Sequence, residues 1–225
     1  MKKVLSLILI LIVFCSFAIT ANAEEFNGAD LFTVELPEGF EQTGANISDF
    51  NFTNENGDTF TVSYNDNTSE DHIFCPANMS KKDIEEYTNA LSTESANVMK
   101  DYADGFELKF LYAEKIKHPN GKKALVCQTK TTITQNKKGN IYYQTLYEFG
   151  GVDYKYTFTY TTTDEKKKDS FKEAFESINI FEGETESNSD KITGYAVAGG
   201  LVLLLVAGIV RFIRTPEKRQ KGKIK

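Results

Sequence analysis

Two cysteines and two histidines outside the chain's ends are the residues whose chemistry stands out in this 225-residue sequence. They are His72, Cys75, His118 and Cys127. His72 and Cys75 have the close spacing of a zinc-ligand pair, but His118 and Cys127 lie on the two sides of a tight turn, which disfavours a structural zinc site. A cysteine nucleophile needs a base and an orienting group beside it, and the spacing indicates neither. We therefore assign no catalytic, cofactor-binding or metal-ligating residues from the sequence.

The two cysteines are candidates for a disulfide. Cys75 precedes a predicted helix and Cys127 lies in a predicted long strand, so the two side chains can meet in the folded domain. An even pair of cysteines in an exported domain can form a bridge. In the chain-entropy model, closing a loop of this length stabilises the fold by about 4 kcal/mol. Two buried thiols are the alternative, and the sequence leaves both open.

The acidic segment 65–71 is rich in Asn, Asp and Glu. Oxygen ligands suit Ca²⁺, but the segment lacks the central glycine of an EF-hand loop. We expect a solvated loop, and we keep a calcium-ion or small-ligand receptor domain as the alternative function. The sequence contains no nucleophile elbow, phosphate-binding loop or HExxH motif, so no catalysis and no cofactor are expected.

Both ends of the chain have the composition of membrane-directed segments. Met1 is followed by two lysines, by a run without charge from residue 4 to 23, and by small residues at Ala21 and Ala23. This is the layout of a secretory signal peptide that ends at Ala23. Residues 192–210 are also uncharged, and as a helix they are long enough to cross a hydrocarbon core of about 30 Å.

The charge distribution predicts the topology. Residues 211–225 carry seven Lys and Arg against one Glu, and such cations stay in the cytosol, where they can meet anionic lipid headgroups. Residues 24–190 carry 16 Lys, no Arg and 31 Asp and Glu, a net charge of −15. That surface would repel phosphates, which argues against nucleic acid as a partner. We expect a single-pass type I protein of the cell membrane with this organisation: signal peptide 1–23, extracytoplasmic domain 24–182, acidic stalk 183–191, transmembrane helix 192–210 and basic cytoplasmic tail 211–225.

The pattern of the middle segment predicts an α+β fold. Short strands are expected at 31–36, 47–53 and 60–64, and four long ones follow at 106–117, 123–134, 141–149 and 153–162. Ser80 and Asp83 have the spacing of a helix cap, and apolar residues continue at helical spacing to Val98. A second helix is expected over 165–178. The short loops connect neighbouring antiparallel strands, and two helices on such a sheet leave one face buried and the other wet.

The start of the domain resembles the F-x-I-x-x-P-x-G-W opening of PsbP-like domains, with Phe40 where Trp is common. The residues that carry the resemblance are Phe32, Val34, Leu36, Pro37, Gly39 and Phe40. The order of short strands, helix, long meander and final helix is similar as well, over roughly residues 26–182. The resemblance to PsbP, Mog and DcrB-like proteins implies an α/β/α sandwich that binds or scaffolds without catalysis. It transfers no site residues, because a fold does not fix a function.

The Lys- and Asn-rich, Arg-poor composition is typical of a bacterial protein. We therefore expect a membrane-anchored, extracytoplasmic binding or scaffold module of a bacterial envelope, with an unknown envelope protein as its partner. The surfaces expected to bind are the wet face of the meander and the loop over 65–79.

Overall fold

The computed structural model describes residues 23–68 and 73–184. The predicted transmembrane helix, the basic tail, most of the signal peptide and most of the stalk lie outside the described residues. Across the described ranges, no helix is long and apolar enough to cross a membrane.

Ten strands within the described residues form two antiparallel sheets. They are β1 (Glu24–Gly28), β2 (Phe32–Leu36), β3 (Glu41–Ala45), β4 (Asp49–Thr53), β5 (Thr59–Asp66), β6 (Gly105–Lys117), β7 (Lys123–Gln135), β8 (Lys138–Gly150), β9 (Tyr154–Thr162) and β10 (Asn179–Ile180). The large sheet has the order β3-β4-β5-β9-β8-β7-β6, and the small sheet has the order β1-β2-β10. The four long strands β6 to β9 confirm the predicted meander, because each pairs antiparallel with the next.

The first helix, α1 (Lys81–Met99), begins where the sequence predicts. The Ser80 hydroxyl accepts a hydrogen bond from the Asp83 N–H, and the Asp83 carboxylate accepts one from the Ser80 N–H at 2.7 Å. This reciprocal capping satisfies two backbone donors that the first helical turn would otherwise leave without partners.

The second predicted helix is wrong in extent. The chain forms a 3₁₀ turn at Glu165–Lys167 and then only a short helix, α2 (Lys172–Ser177). The hydroxyl of Ser170 donates to the carbonyl of Lys167 at 2.7 Å, and such local side-chain bonding competes with a continuous helix. The break lets Phe171 enter the core, where its ring stacks on Tyr160 with centroids 4.4 Å apart.

Two different layers cover the faces of the large sheet. Helix α1 packs on one face, where Tyr87, Leu91 and Met99 meet Leu125 and Leu146. The other face is covered by the small sheet together with α2. This differs from the predicted α/β/α sandwich, because a three-stranded sheet supplies much of the layer that a long second helix was expected to supply. The α+β class, the antiparallel sheet and the two helices are confirmed.

The central strands β8 and β9 are buried on both faces. Phe149 and Tyr156 point to the small sheet, while Glu148 and Thr157 point to the α1 face, and all four are buried. The expectation of one wet face is therefore wrong for these strands. Strands β1 and β3 were not predicted; β3 is exposed and lacks the alternation of apolar and polar residues that would reveal it.

Gly150, at the end of β8, permits a close backbone approach that generates a stability prediction. A Cβ atom there would lie 2.0 Å from the carbonyl oxygen of Phe74, whereas at Gly139 in the same strand nothing lies within 4 Å. We expect Gly150→Ala to lower the free energy of unfolding by about 1–3 kcal/mol, because the backbone at Phe74 must move. Gly139→Ala should leave the urea midpoint nearly unchanged. Equal losses in both variants would contradict this packing.

Candidate functional site

An ion pair lies inside the domain, between the sheet and α1. Glu148 of β8 and Lys155 of β9 place Oε1 and Nζ 2.7 Å apart, and their side chains are 0% and 6% exposed. The Tyr87 hydroxyl of α1 donates to Glu148 Oε1 at 2.7 Å, and Lys155 Nζ donates to the Tyr87 oxygen at 2.8 Å. We call these three residues the buried triad. It joins the helix to two neighbouring strands.

Phe74 covers the buried triad, and Asn67 is hydrogen-bonded to Phe74. The Lys155 ammonium lies 4.1 Å from the centre of the Phe74 ring, a cation–π contact that partly replaces lost hydration. Asn67 holds Phe74 in place. Its amide oxygen accepts from the Phe74 N–H at 2.8 Å, and its amide nitrogen donates to the carbonyls of Phe74 and Gly151.

The surroundings of the triad shift the pKa values of its members. Burial lowers the pKa of Lys155, and the attraction of Glu148 opposes that shift. Burial, followed by the charge of Glu148, raises the pKa of the Tyr87 hydroxyl well above its ordinary value. Both causes act in the same order on the thiol of Cys127, and its pKa is also well raised. All of these groups are buried, and the network fastens the helix to the sheet.

A row of polar atoms extends from the triad across the sheet. Ser63, Thr157 and Glu148 are register partners on adjacent strands. Within the described part of the chain, Ser63 Oγ, Thr157 Oγ1 and Glu148 Oε2 are buried and have no hydrogen-bond partner. A buried polar atom without a partner lowers the stability of a fold by about 1–3 kcal/mol. This row of polar atoms therefore destabilises the interior of the domain.

The sequence-predicted cysteines and histidines do not form one cluster. Cys127 faces α1, whereas His118 packs on Phe149 on the other side of the sheet, where its Nε2 contacts the carbonyl of Phe175 at 2.7 Å. His72 lies outside the described residues. Cys75 and Cys127 are both buried and both are thiols in the structure, and the disulfide between them stays a prediction.

The acidic segment 65–71 lies only partly within the described residues. Asp66 accepts hydrogen bonds from the backbone N–H and the hydroxyl of Thr68, and these bonds lower its pKa. In the described ranges, no group of three or more His, Cys, Asp or Glu residues is placed to hold a metal ion. The calcium-receptor alternative stays a prediction.

The side of the sheet that carries Lys155, which was expected to be wet, is covered by α1, and the exposed part of the meander is one corner of the opposite face. On the face opposite α1, the small sheet and α2 leave the β6–β8 end uncovered. We call this corner the open face of the meander; it consists of Glu107, Lys109, Tyr112, Lys130, Thr132 and Ile141. Tyr112 and Ile141 are each 40% exposed. Burial of part of its ring raises the pKa of Tyr112 to about 12, so its hydroxyl remains a hydrogen-bond donor at neutral pH.

Sequence reasoning missed the buried triad. Lys155 stands in the alternating run of β9 on the side taken to be wet, and Glu148 stands in β8 among aromatic residues. The available signal is the pairing of one acid and one base on the same face of adjacent strands. It becomes visible only when the register is known, because Glu148 lies opposite Thr157 and Lys155 lies opposite Gly150.

The triad generates a prediction about stability. Lys155→Met leaves Glu148 buried without its cation, and we expect a loss of about 3–5 kcal/mol in the free energy of unfolding, measured in urea. The double variant Lys155→Met/Glu148→Leu should recover much of that loss, since no buried charge remains.

The exposed pair Lys82–Glu86, at 3.0 Å, is the matched control. Lys82→Met should change little, because solvent screens this pair. Similar losses for Lys82→Met and Lys155→Met would contradict the importance of burial.

The raised pKa of Cys127 generates a prediction about pH. Below the ordinary thiol value of 9.0, Cys127 is protonated in both the folded and the unfolded chain. Above it, only the unfolded chain loses the proton, so the stability that the thiol contributes falls as the pH rises. Between pH 8 and 9.5 the wild type should lose about 1 kcal/mol more than Cys127→Ala in urea unfolding. Lys155 and the tyrosines titrate in both proteins and cancel in the difference. If the wild type and Cys127→Ala lose stability equally as the pH rises, Cys127 carries no titratable thiol. A disulfide between Cys127 and Cys75 would give that result.

The comparison with known proteins finds relatives only among solved structures. No protein-family model matches the chain. No curated protein matches it either. The solution structure of cyanobacterial PsbP (CyanoP) from Synechocystis is 13% identical, with a TM-score of 0.48, and the match covers 73% of this chain and 95% of that one.

Two further structures are similar at comparable identity. A crystal structure from Bacteroides thetaiotaomicron is 12% identical, with a TM-score of 0.44, over 72% of this chain and 49% of that one. A Pseudomonas aeruginosa protein of unknown function, described as a putative regulator, is 14% identical, with a TM-score of 0.35, over 73% and 99%. With identities of 12–14% and TM-scores below 0.5, none of these likenesses gives a residue of this chain a role.

Proposed function

We propose that this chain is a membrane-anchored, extracytoplasmic binding or scaffold module of a bacterial envelope, built on a PsbP-like fold. The sequence supports the location. A signal-peptide layout precedes the domain, and an apolar run followed by a basic tail comes after it. The domain then stands outside the membrane and presents its surface to a protein partner.

The observation that carries the binding proposal is the contrast between a sealed interior and an open face. The strongly perturbed groups Tyr87, Cys127 and Lys155 are all closed off beneath α1. The open face of the meander instead displays Tyr112 and Ile141 on a rigid sheet. Tyrosine contributes strongly to binding surfaces because a large, stiff ring and a hydroxyl donor act together.

Charge on the open face indicates the kind of partner. Lys109 and Lys130 are register partners on β6 and β7, and two like charges placed directly opposite each other disfavour the isolated sheet. Lys130 also lies 5.9 Å from the centre of the Tyr143 ring. In a domain of net charge −15, this lysine pair presents two positive charges, with the carboxylates of Glu107 and Glu165 nearby. A partner segment with acidic residues and an apolar or aromatic anchor would fit it.

The experiment has a location arm and a binding arm. Protease added to intact cells should remove the domain, and a domain that survives would contradict the extracytoplasmic location. A photo-crosslinking amino acid at Tyr112 should give one discrete adduct in those cells. The same amino acid at Tyr102, which is 54% exposed outside the open face, is the matched control and should give none.

The charge on the open face supplies the discriminating variant. Adding Lys130→Glu should abolish the Tyr112 adduct, because the lysine pair loses one positive charge and gains a negative one, while domain stability changes little. An adduct pattern that is equal at Tyr112 and Tyr102, or unchanged by Lys130→Glu, would exclude the open face as the binding surface.

A further inference from the structure

The last described residues are fixed at one end of the large sheet. The Glu182 carboxylate accepts from the N–H groups of Asp153 and Tyr154 at 2.8 and 3.2 Å, and the Val152 N–H donates to the Gly183 carbonyl. The Glu184 carboxylate accepts from the Lys123 N–H at 2.9 Å. The chain therefore leaves the domain beside the β8–β9 turn and the start of β7.

Exposed apolar side chains collect at this same end. Val152 in the β8–β9 turn and Phe181 are each 52% exposed, and Ile47 in the β3–β4 turn is 92% exposed. The Tyr64 hydroxyl donates to the Ile47 carbonyl, and the ring of Tyr64 meets that of Tyr154 at 5.2 Å. Two half-buried tyrosines thus connect the turn of Ile47 to the turn of Val152. We call Ile47, Tyr64, Val152, Tyr154 and Phe181 the exit edge.

The length of chain beyond the domain limits what can meet the exit edge. Seven residues, 185–191, separate Glu184 from the apolar run at 192–210. Fully extended they reach at most about 25 Å. If that run spans the bilayer, the end of the domain from which the chain leaves is held close to the lipid surface.

The chemistry of the exit edge fits lipid contact through apolar groups. Aliphatic side chains flanked by tyrosines are the combination found at membrane–water interfaces, where the ring is apolar and the hydroxyl stays wet. The carboxylates of Asp66, Asp153, Glu182 and Glu184 lie at the same end together with Lys117, Lys122 and Lys123. With charges of both signs, this end has no strong attraction to anionic headgroups. Contact by insertion of side chains into uncharged or zwitterionic lipid is therefore favoured over electrostatic attraction.

We infer that the exit edge rests on the outer surface of the bilayer, with Ile47, Val152 and Phe181 inserted at the level of the headgroups. The inference rests on the proposed membrane anchor and goes beyond it, because an anchor alone would allow the domain to stand clear of the lipid. This contact gives the domain one orientation, in which the exit edge faces the bilayer.

Single-tryptophan variants test the inference, since the chain contains no Trp. The full chain, reconstituted in phosphatidylcholine bilayers, carries Ile47→Trp or Val152→Trp. Lipids brominated near the headgroup end of their chains should quench most of the fluorescence of both variants, and their emission should be blue-shifted relative to that of Tyr102→Trp in the same bilayers. Tyr102→Trp is the control. It replaces an exposed residue at the far end of sheet strands about 40 Å long and should not be quenched.

Further variants and one fractionation step separate the outcomes. Adding Val152→Ser and Phe181→Ser to Ile47→Trp should reduce its quenching, because the neighbouring apolar contacts are gone. If the chain resists carbonate extraction but neither exit-edge tryptophan is quenched, the inference falls and the anchor stands. If carbonate extracts the chain, both fall. A blue shift that depends on protein density rather than on brominated lipid would identify the exit edge as a contact between copies and would overturn lipid contact.

Discussion

The Glu148–Lys155 ion pair fixes how helix α1 is positioned on the large sheet. Removing either charge from water costs several kcal/mol, and the attraction between them offsets that cost only when the geometry is good and further hydrogen bonds are made. Here the Tyr87 hydroxyl supplies the further bonds to both charges. Helix α1 and strands β8 and β9 must therefore take their native positions together. Apolar packing alone would tolerate some sliding of the helix on the sheet. The ion pair and its hydrogen bonds allow less of it.

The two faces of the large sheet are stabilised differently. On the small-sheet face, aromatic rings pack against one another, as in Tyr147 on Phe175 at 4.2 Å and Phe60 on Phe171 at 4.9 Å. On the α1 face, the row from Ser63 to Glu148 includes buried polar atoms for which the described residues provide no hydrogen-bond partner. A partly satisfied polar network costs stability. The aromatic face can offset that cost, so the polar row is tolerated in a sheet whose other face is densely packed.

Several elements could be predicted from the sequence because their signals are local. The meander follows from alternation and short turns, and the start of α1 follows from Ser80 and Asp83. The shortened α2 could not be predicted, because its periodicity is helical while the hydroxyl of Ser170 and the burial of Phe171 decide otherwise. The buried triad could not be predicted either. Alternation shows which residues share a face, but not whether that face meets solvent or a helix, so Lys155 was expected to be wet.

The separation of Cys127 from His118 shows why the spacing of candidate ligands is weak evidence in a strand. Residues on a strand alternate between faces, so a shift of one position reverses which residues can meet. His118, in the β6–β7 turn, folds onto the small-sheet face, and Cys127 faces α1. Nine residues of separation carry no information about this difference. Only the pairing of the strands resolves it.

The two surfaces that we propose to be functional lie at different ends of the same strands. In β7, Lys123 lies at the end of the sheet that carries the exit edge, whereas the open face includes Lys130 and Thr132. At about 3.3 Å per residue, these positions lie roughly 23–30 Å further along the strand. With the exit edge on lipid, the open face would stand clear of the headgroups and remain accessible to a partner. The hydrogen-bond ladder from β6 to β8 maintains that separation, because both surfaces lie on the same sheet.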